Sequence, residues 1–322
     1  MLICIDQPPA SQNPYLTLLE DWTNNPFAEM HQLNRHRNIY TKLTTRQAGF
    51  SALRRLVQRL QPTWIFTGSD RRVEFQFAVA LAKKIGGATG VYLDEGTFSY
   101  VTRKASRSWG DRYVDNWAKK LVYGRWWRNP PTTGASLWID RCCLFFPQYA
   151  NNWLQQKELD RLKPELFRNV TMQELFSRIV SWQGLDKKKL GQAKYLLTMP
   201  HHSLLGETRV YVELVQRLQQ QGARVVVKYH PRSSASEYPG IEALQPWHSI
   251  TGPLMFEALL TLLPQDTVLL GDLSSTLLVA RWLRPQMRII AMAAGGARET
   301  KYQLFLRRIG VEIQSPDQIG AI

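Results

Sequence analysis

The sequence predicts a doubly wound α/β protein made of two Rossmann-like halves. Three observations carry that expectation. Apolar runs of four to six residues alternate with amphipathic stretches of helical period. The connections between them are mostly short and rich in Gly, Pro, Ser and Asp. The alternation occurs twice, and the polar, charged stretch Gly184–Lys194 (GLDKKKLGQAK) bridges the two sets. Strands and helices in such alternation form a parallel sheet covered on both faces. The expected domains are residues 1–189 and 190–322.

In the first half, Leu2–Ile5 is an expected strand, and Arg46–Leu60 an amphipathic helix through Phe50, Leu53, Val57 and Leu60. Trp64–Phe66 is the next strand. Arg72–Ile85 is a helix, with Ser69 or Asp70 expected as its cap and Gly86-Gly87 as its stop. The strand Gly90–Leu93 runs into Asp94-Glu95-Gly96. Residues 97–185 then read as aromatic, basic and mostly helical, with no clear strand. The stretch of about 101–185 is expected to be a basic helical insertion.

The second half alternates throughout. The expected strands are Tyr195–Thr198 (YLLT), Arg224–Tyr229 (RVVVKY), Thr267–Leu270 (TVLL), Arg288–Met292 (RIIAM) and Val311–Gln314. Unbroken apolar runs such as VVV suit strands buried on both faces. The expected helices are Thr208–Gln221, stopped by Gly222, then Leu254–Leu263, Ser275–Leu283 and Lys301–Ile309. Two doubly wound halves imply a cleft, and ligands of such sheets sit at the carboxyl ends of the strands.

Composition narrows the function classes. The chain has 322 residues, 44% hydrophobic and 21% charged, enough to build globular cores. The three cysteines, Cys4, Cys142 and Cys143, exclude a disulfide scaffold and form no zinc-binding spacing. The start MLICIDQPP lacks a basic segment and meets Asp6 at once, unlike a signal peptide. No apolar run reaches the roughly 18 residues of a membrane span. A cytoplasmic protein is expected, or one lying on a membrane without crossing it.

The net charge is +15, and it is uneven. Residues 1–189 hold 28 of the 41 basic and 16 of the 26 acidic residues, a net of +12. That excess suggests an anionic partner for the first half: nucleic acid, a membrane surface or an acidic polysaccharide.

Four strand ends carry groups capable of chemistry. Asp94 and Glu95 follow a buried strand, and Gly96 permits the turn that presents them. Adjacent acids repel, and partial burial raises one of them towards the range of a general base. An ordinary acidic turn has the same residues. His230 follows the Val-rich strand, with Pro231 fixing the turn behind it and Lys228 and Arg232 keeping the surroundings positive. A histidine there can serve a leaving phosphate, or can be a structural histidine at a turn. Ser274, Ser275 and Thr276 open a helix, where free N–H groups and hydroxyls cradle anions. Plain N-capping uses the same residues. Glu257 sits in the first turn of another helix, placed either for ribose hydroxyls or for the helix dipole.

In this order, Asp-Glu-Gly, Lys-x-His-Pro, Pro-x-x-x-Glu and a Ser-Ser helix start resemble the bacterial sialyltransferases of GT-B architecture, with their D/E-D/E-G, HP and S/T-S/T motifs. Thr67–Gln76 and Tyr92–Tyr100 (YLDEGTFSY) look closest to the capsular α-2,8-polysialyltransferases; the lipooligosaccharide sialyltransferases are the near alternative. The resemblance spans about residues 64–100 and 195–285.

The resemblance implies an inverting, metal-independent transferase that needs no cofactor. It moves sialic acid from CMP-sialic acid to a cell-surface glycan, capsular polysaccharide or lipooligosaccharide. It puts the general base on Asp94, with Glu95 the second acid of the motif, and the acid or hydrogen-bond donor to the leaving phosphate on His230. Donor binding falls on Lys228, Pro231, Glu257, Ser274, Ser275 and Thr276. It also implies a C-terminal helix crossing back to the first domain, which is not expected after Val311–Gln314. His201-His202-Ser203 after Pro200 is unusual; it reads as a solvated loop or as a nucleotide contact.

Residues 103–128 interleave basic with aromatic side chains. Arg103, Lys104, Arg107, Arg112, Lys119, Lys120, Arg125 and Arg128 are the expected contacts to an acidic glycan acceptor or to the anionic inner face of the bacterial inner membrane. A solvated basic face with its aromatics turned into the core fits the same pattern. A GT-B transferase using another CMP-linked acidic sugar such as Kdo is the close rival. A non-enzymatic nucleic-acid-binding protein, suggested by the charge, ranks lower, since it leaves the four strand ends unexplained.

Overall fold

The chain folds into two compact units, Met1–Lys163 and Pro164–Ile322. The computed structural model describes residues 1–7, 13–34, 39–102, 120–121, 123–204, 208–293 and 300–319.

In the first unit, β1 (Leu2–Gln7) pairs in parallel with β2 (Met30–Asn34). A separate four-stranded parallel sheet holds β3 (Trp64–Thr67), β4 (Thr89–Leu93), β5 (Arg141–Leu144) and β6 (Glu158–Arg161), in that spatial order. Register sets Tyr92 beside Cys142 and Cys142 beside Leu159. Tyr92 and Cys142 form one buried core with Phe75, Val79, Leu144 and Leu154, and the partly buried Leu159 packs against it. Fully burying an aliphatic side chain of this size stabilises by about 1.5–3 kcal/mol.

β5 and β6 correct the expectation that residues 97–185 contain no strand. Each is only four residues long, and β5 (RCCL) shows its inward alternation solely through Cys142 and Leu144. A period-2 signal that short is set by sheet neighbours distant in sequence. The expected cap of the helix Val73–Gly86 also differs. Its N-cap is Arg72, which makes no side-chain cap bond. Asp70 is fully buried and accepts the N–H groups of Gly134 (2.8 Å) and Ser136 (2.7 Å) instead. Gln76 clamps the same region, exchanging 2.8 Å bonds with both backbone groups of Arg128.

The second unit is a six-stranded parallel sheet. Its strands are β7 (Tyr195–Thr198), β8 (Val225–Lys228), β9 (His248–Ile250), β10 (Val268–Gly271), β11 (Ile289–Met292) and β12 (Glu312–Gln314). The spatial order is β12-β11-β10-β7-β8-β9. From β7 the chain winds outward through β8 and β9, then returns to β10 on the other side of β7. The strand order therefore reverses between β7 and β10, the place where open α/β sheets bind ligands. Leu197, Val225, Val227, Leu270 and Ile290 pack against Leu214, Val215 and Leu218 of the helix Thr208–Gln220.

The units divide at Lys163/Pro164, whereas the bridge at Gly184–Lys194 suggested residue 190. The helix Val170–Trp182 accounts for the difference, because its buried face, Phe176, Ile179 and Val180, belongs to the second unit. It contacts the helix Phe256–Leu260, and Phe167 ahead of it meets Trp282 edge-on at 5.0 Å. The charged bridge itself is tied into the second unit, with Leu190 and Ala193 buried and the Ala193 carbonyl accepting from Thr267 Oγ1 at 2.8 Å.

Candidate active site

Register brings the second-unit residues to one edge. Thr198 lies beside Lys228 of β8 and beside Gly271 of β10, so three carboxyl ends are level. The segments leaving them carry His201, His230 and Ser274. β7 and β10 approach so closely that a Cβ on Gly271 would collide with Thr198 Oγ1.

His230 Nδ1 accepts the N–H of Arg232 at 3.2 Å. That bond assigns the proton of the neutral ring to Nε2, which leaves a donor for a ligand. Burial, then the charges of His201, Lys228, Arg232 and His202, hold its pKa below the ordinary histidine range. His230 is therefore neutral at pH 7. The His201 ring stands edge-on to it, 4.9 Å between centroids, and the His202 ring lies 4.3 Å from that of His201. His201 thus stands beside His230, while His202 and Ser203 are exposed. Residue types alone could not reveal that, because the contact depends on β7 and β8 being neighbours.

Lys228 is buried, and burial depresses its amine to about 8, with Glu257 opposing the shift. Burial raises Glu257, and the charge of Lys228 pulls the other way. Ser274 is the N-cap residue of the helix Ser275–Leu283, yet its side chain makes no cap bond. Its hydroxyl pairs with Thr276 Oγ1 at 2.6 Å, and Tyr302 donates to its carbonyl at 2.9 Å. Plain capping therefore does not explain this serine. Its hydroxyl and the first N–H groups of a nine-residue helix sit at the same edge as His230.

In the first unit, β4 delivers Asp94 into a dense network. Gly96 N–H (2.9 Å) and Ser99 Oγ (2.7 Å) donate to Oδ1. Tyr100 OH and Phe145 N–H (3.0 Å) donate to Oδ2. Burial raises the Asp94 carboxyl, and these bonds pull against it. Gly96 takes φ 117°, a backbone that favours glycine, so the turn is residue-specific. Glu95 is exposed. Burial raises its carboxyl; Arg72 opposes that rise, while Asp70 and Asp94 add to it.

The described part of the basic aromatic segment packs inward. Trp127 is buried, and Trp126 sits 5.5–5.6 Å from Phe50 and Phe77. Tyr123 is bonded by Arg46, whose guanidinium also lies 5.2 Å from the ring centre. These three aromatics hold the segment to the first unit. Arg125 is exposed, and Lys120 and Arg128 are half-buried. Arg103, Lys104, Arg107, Arg112 and Lys119 lie outside the described residues. Among the described residues, no group of three His, Cys, Asp or Glu side chains could hold a metal ion, and no helix is long and apolar enough to cross a membrane.

Residues 200–293, which hold His230, Glu257 and Ser274, match the family model of α-2,8-polysialyltransferase. The chain has the GT-B fold. The GT-B fold is shared with an α/β-galactoside α-2,3-sialyltransferase from Photobacterium phosphoreum, at TM-score 0.57 and 12% identity over 99% of this chain and 98% of that one. The GT-B domain of a sialyltransferase from Photobacterium damselae aligns at 0.53 and 11% identity, over 98% and 99%. A UDP-GlcNAc 2-epimerase from Neisseria meningitidis aligns at 0.52 and 11%, over 98% and 79%. At such identities these structures speak to the fold alone. No curated protein matches the chain. The matched residues include the segments that leave the level strand ends at the sheet's reversal point.

Proposed function

We propose that this protein is a glycosyltransferase that moves sialic acid from CMP-sialic acid to an acidic surface glycan, capsular polysaccharide or lipooligosaccharide, with inversion. The observation that carries the proposal is the meeting of Lys228, His230 and the Ser274 helix start on neighbouring strand ends within the residues that match the polysialyltransferase family model. The departing CMP gathers negative charge on its phosphate as the glycosidic bond breaks. His230 Nε2–H, the helix N–H groups and the hydroxyls of Ser274, Ser275 and Thr276 stabilise charge developing there. Lys228 adds a cation, Glu257 accepts from the ribose hydroxyls, and Pro231 holds the turn behind His230. The Asp94-Glu95-Gly96 turn supplies the base for the acceptor hydroxyl. The basic excess of the first half draws the anionic acceptor and the inner membrane face.

A nucleotide panel in a thermal-shift assay tests the donor class. A ligand that binds only the folded protein stabilises it by about 2.7 kcal/mol at one hundred times its Kd. CMP is expected to raise the melting temperature, and UMP, GMP and AMP are not. Ser274→Ala/Ser275→Ala is expected to weaken CMP binding. A shift with UDP or GDP and none with CMP overturns the sialyl reading. Transfer from CMP-Kdo but not from CMP-sialic acid replaces it with the Kdo transferase.

Lys228 sets a pH signature. Its cation is lost as pH rises through about 8, so CMP Kd is expected to weaken above that pH. The ceiling is about tenfold per pH unit, the limit when only the protonated protein binds. Lys228→Met should bind CMP more weakly at pH 7 and without that dependence. Calorimetric titrations between pH 7 and 9.5 measure it, and a flat wild-type profile removes Lys228 from the phosphate.

A further inference from the structure

We infer that His201 is a second phosphate-binding residue, whose Nε2–H donates to a non-bridging oxygen of the donor nucleotide's phosphate beside His230. The inference rests on the CMP-sugar reading proposed above and adds a residue to that site. Strand order carries it first. β7 lies between β10 and β8 in the sheet. Thr198, Gly271 and Lys228 are level at the three carboxyl ends. His201 follows its level residue by three positions, Ser274 by three and His230 by two. A phosphate held by both His230 and the Ser274 helix start therefore spans the end of β7. The segment leaving that end is the one that carries His201.

The bonds of the ring carry it further. Ser203 N–H donates to His201 Nδ1 at 3.2 Å, and Ser203 Oγ stands 2.8 Å from the same nitrogen. Arg232 N–H makes the equivalent bond to His230 Nδ1. In both residues the backbone N–H two positions on occupies Nδ1. That assigns the proton of each neutral ring to Nε2. Neither Nε2 has a hydrogen-bond partner among the described residues. The two rings lie 4.9 Å apart between centroids, at 83° to one another. Two N–H donors so placed suit two oxygens of one phosphate, whose charge strengthens both bonds.

The loop is fixed in that position by its neighbours, all in the second unit. Tyr238 OH donates to the Pro200 carbonyl at 2.5 Å. His202 N–H donates to Ser233 Oγ at 3.4 Å, and the His202 ring meets the same hydroxyl at 3.2 Å. Glu237 Oε1 lies 3.3 Å from His202 Nδ1. Ser233 N–H in turn donates to the His230 carbonyl at 2.9 Å. The segment after β7 is thus pinned on both sides of His201 to the segment after β8. Groups held in place before the ligand arrives lose less entropy when it binds.

Variants of His201 in the full chain separate a phosphate contact from packing against His230. Calorimetry gives the Kd of CMP, ligand-observed NMR gives that of cytidine, and a melting curve checks folding. His201→Ala should weaken CMP binding about ten- to a hundredfold, the size of a hydrogen bond to a charged group. Its cytidine affinity and melting temperature should be those of wild type. His201→Phe keeps a ring beside His230 without a donor and should bind CMP as weakly as His201→Ala. His201→Gln keeps an N–H donor and should recover much of the loss. Wild-type CMP affinity in His201→Ala overturns the inference, as does an equal loss for cytidine. Wild-type affinity in His201→Phe with the full loss in His201→Gln assigns the effect to packing and overturns it too. A wild-type protein that binds UDP or GDP but not CMP overturns the donor reading, and this inference with it. That outcome is distinct, because it appears before any variant is made.

Discussion

His230→Ala is expected to lower turnover by about 10²–10⁴-fold while leaving the melting temperature within about 1 °C of wild type. The reasoning starts from the ring's bonds. Nδ1 is occupied by the Arg232 N–H, so the neutral imidazole offers Nε2–H to the departing phosphate. Four neighbouring cationic or cationisable groups disfavour a second proton, and the site works with a neutral donor. A neutral donor keeps its hydrogen bond throughout the pH range above its lowered pKa. The activity carried by His230 should therefore be flat from neutral pH upward and change only on the acidic side of the ordinary histidine range. The ring is only partly buried, so its removal leaves no large cavity. Steady-state kinetics beside a melting curve checks both halves. Turnover within a few-fold of wild type sinks the donor role.

Gly90→Ala is expected to be the most destabilising small substitution in the first unit. A Cβ at residue 90 would fall far inside van der Waals contact of the Trp138 carbonyl oxygen, with Val79 Cγ2 at 3.2 Å on the other side. Neither segment can retreat. Gly90 N–H donates to Asp140 Oδ2 at 2.8 Å, and Asp140 N–H donates to the Gly90 carbonyl at 2.9 Å. Lys83 holds the same carboxylate at 2.7 Å. Overpacking of this kind costs about 3 kcal/mol, which is about 6–12 °C for a unit of this size. The shift should appear in the first unit's calorimetric transition and leave CMP binding by the second unit intact. Gly68→Ala is the control, since a Cβ there meets nothing within 4 Å. Equal melting temperatures for the two variants would show that the backbone at Trp138 yields.

The two predictions test different layers of information. Every strand and helix of the second unit near the proposed donor site was legible from runs such as VVVK and STLLVARWL, because a strand buried on both faces must be apolar throughout. The shorter elements were not. β2, β5, β6 and β9 have three to five residues each, and pairing with partners far along the chain defines them. β5 exists because Arg141–Leu144 lies between β4 and β6. The charged bridge at Gly184–Lys194 looked like a linker by composition, but the apolar face of Val170–Trp182 ties the chain before it to the second unit.

The sequence by itself determined the α/β class, the strand-end residues Asp94, Glu95, His230 and Ser274, and the resemblance that named their chemistry. Those properties are local: they depend on periodicity, breakers and the order of motifs along the chain. Only the tertiary structure decided that His201 stands against His230, that Asp70 clamps Gly134 and Ser136, and that four donors occupy the lone pairs of Asp94. Each of these is a contact set by strand order and register between residues that the sequence keeps apart, or by the path of a turn that residue types do not specify.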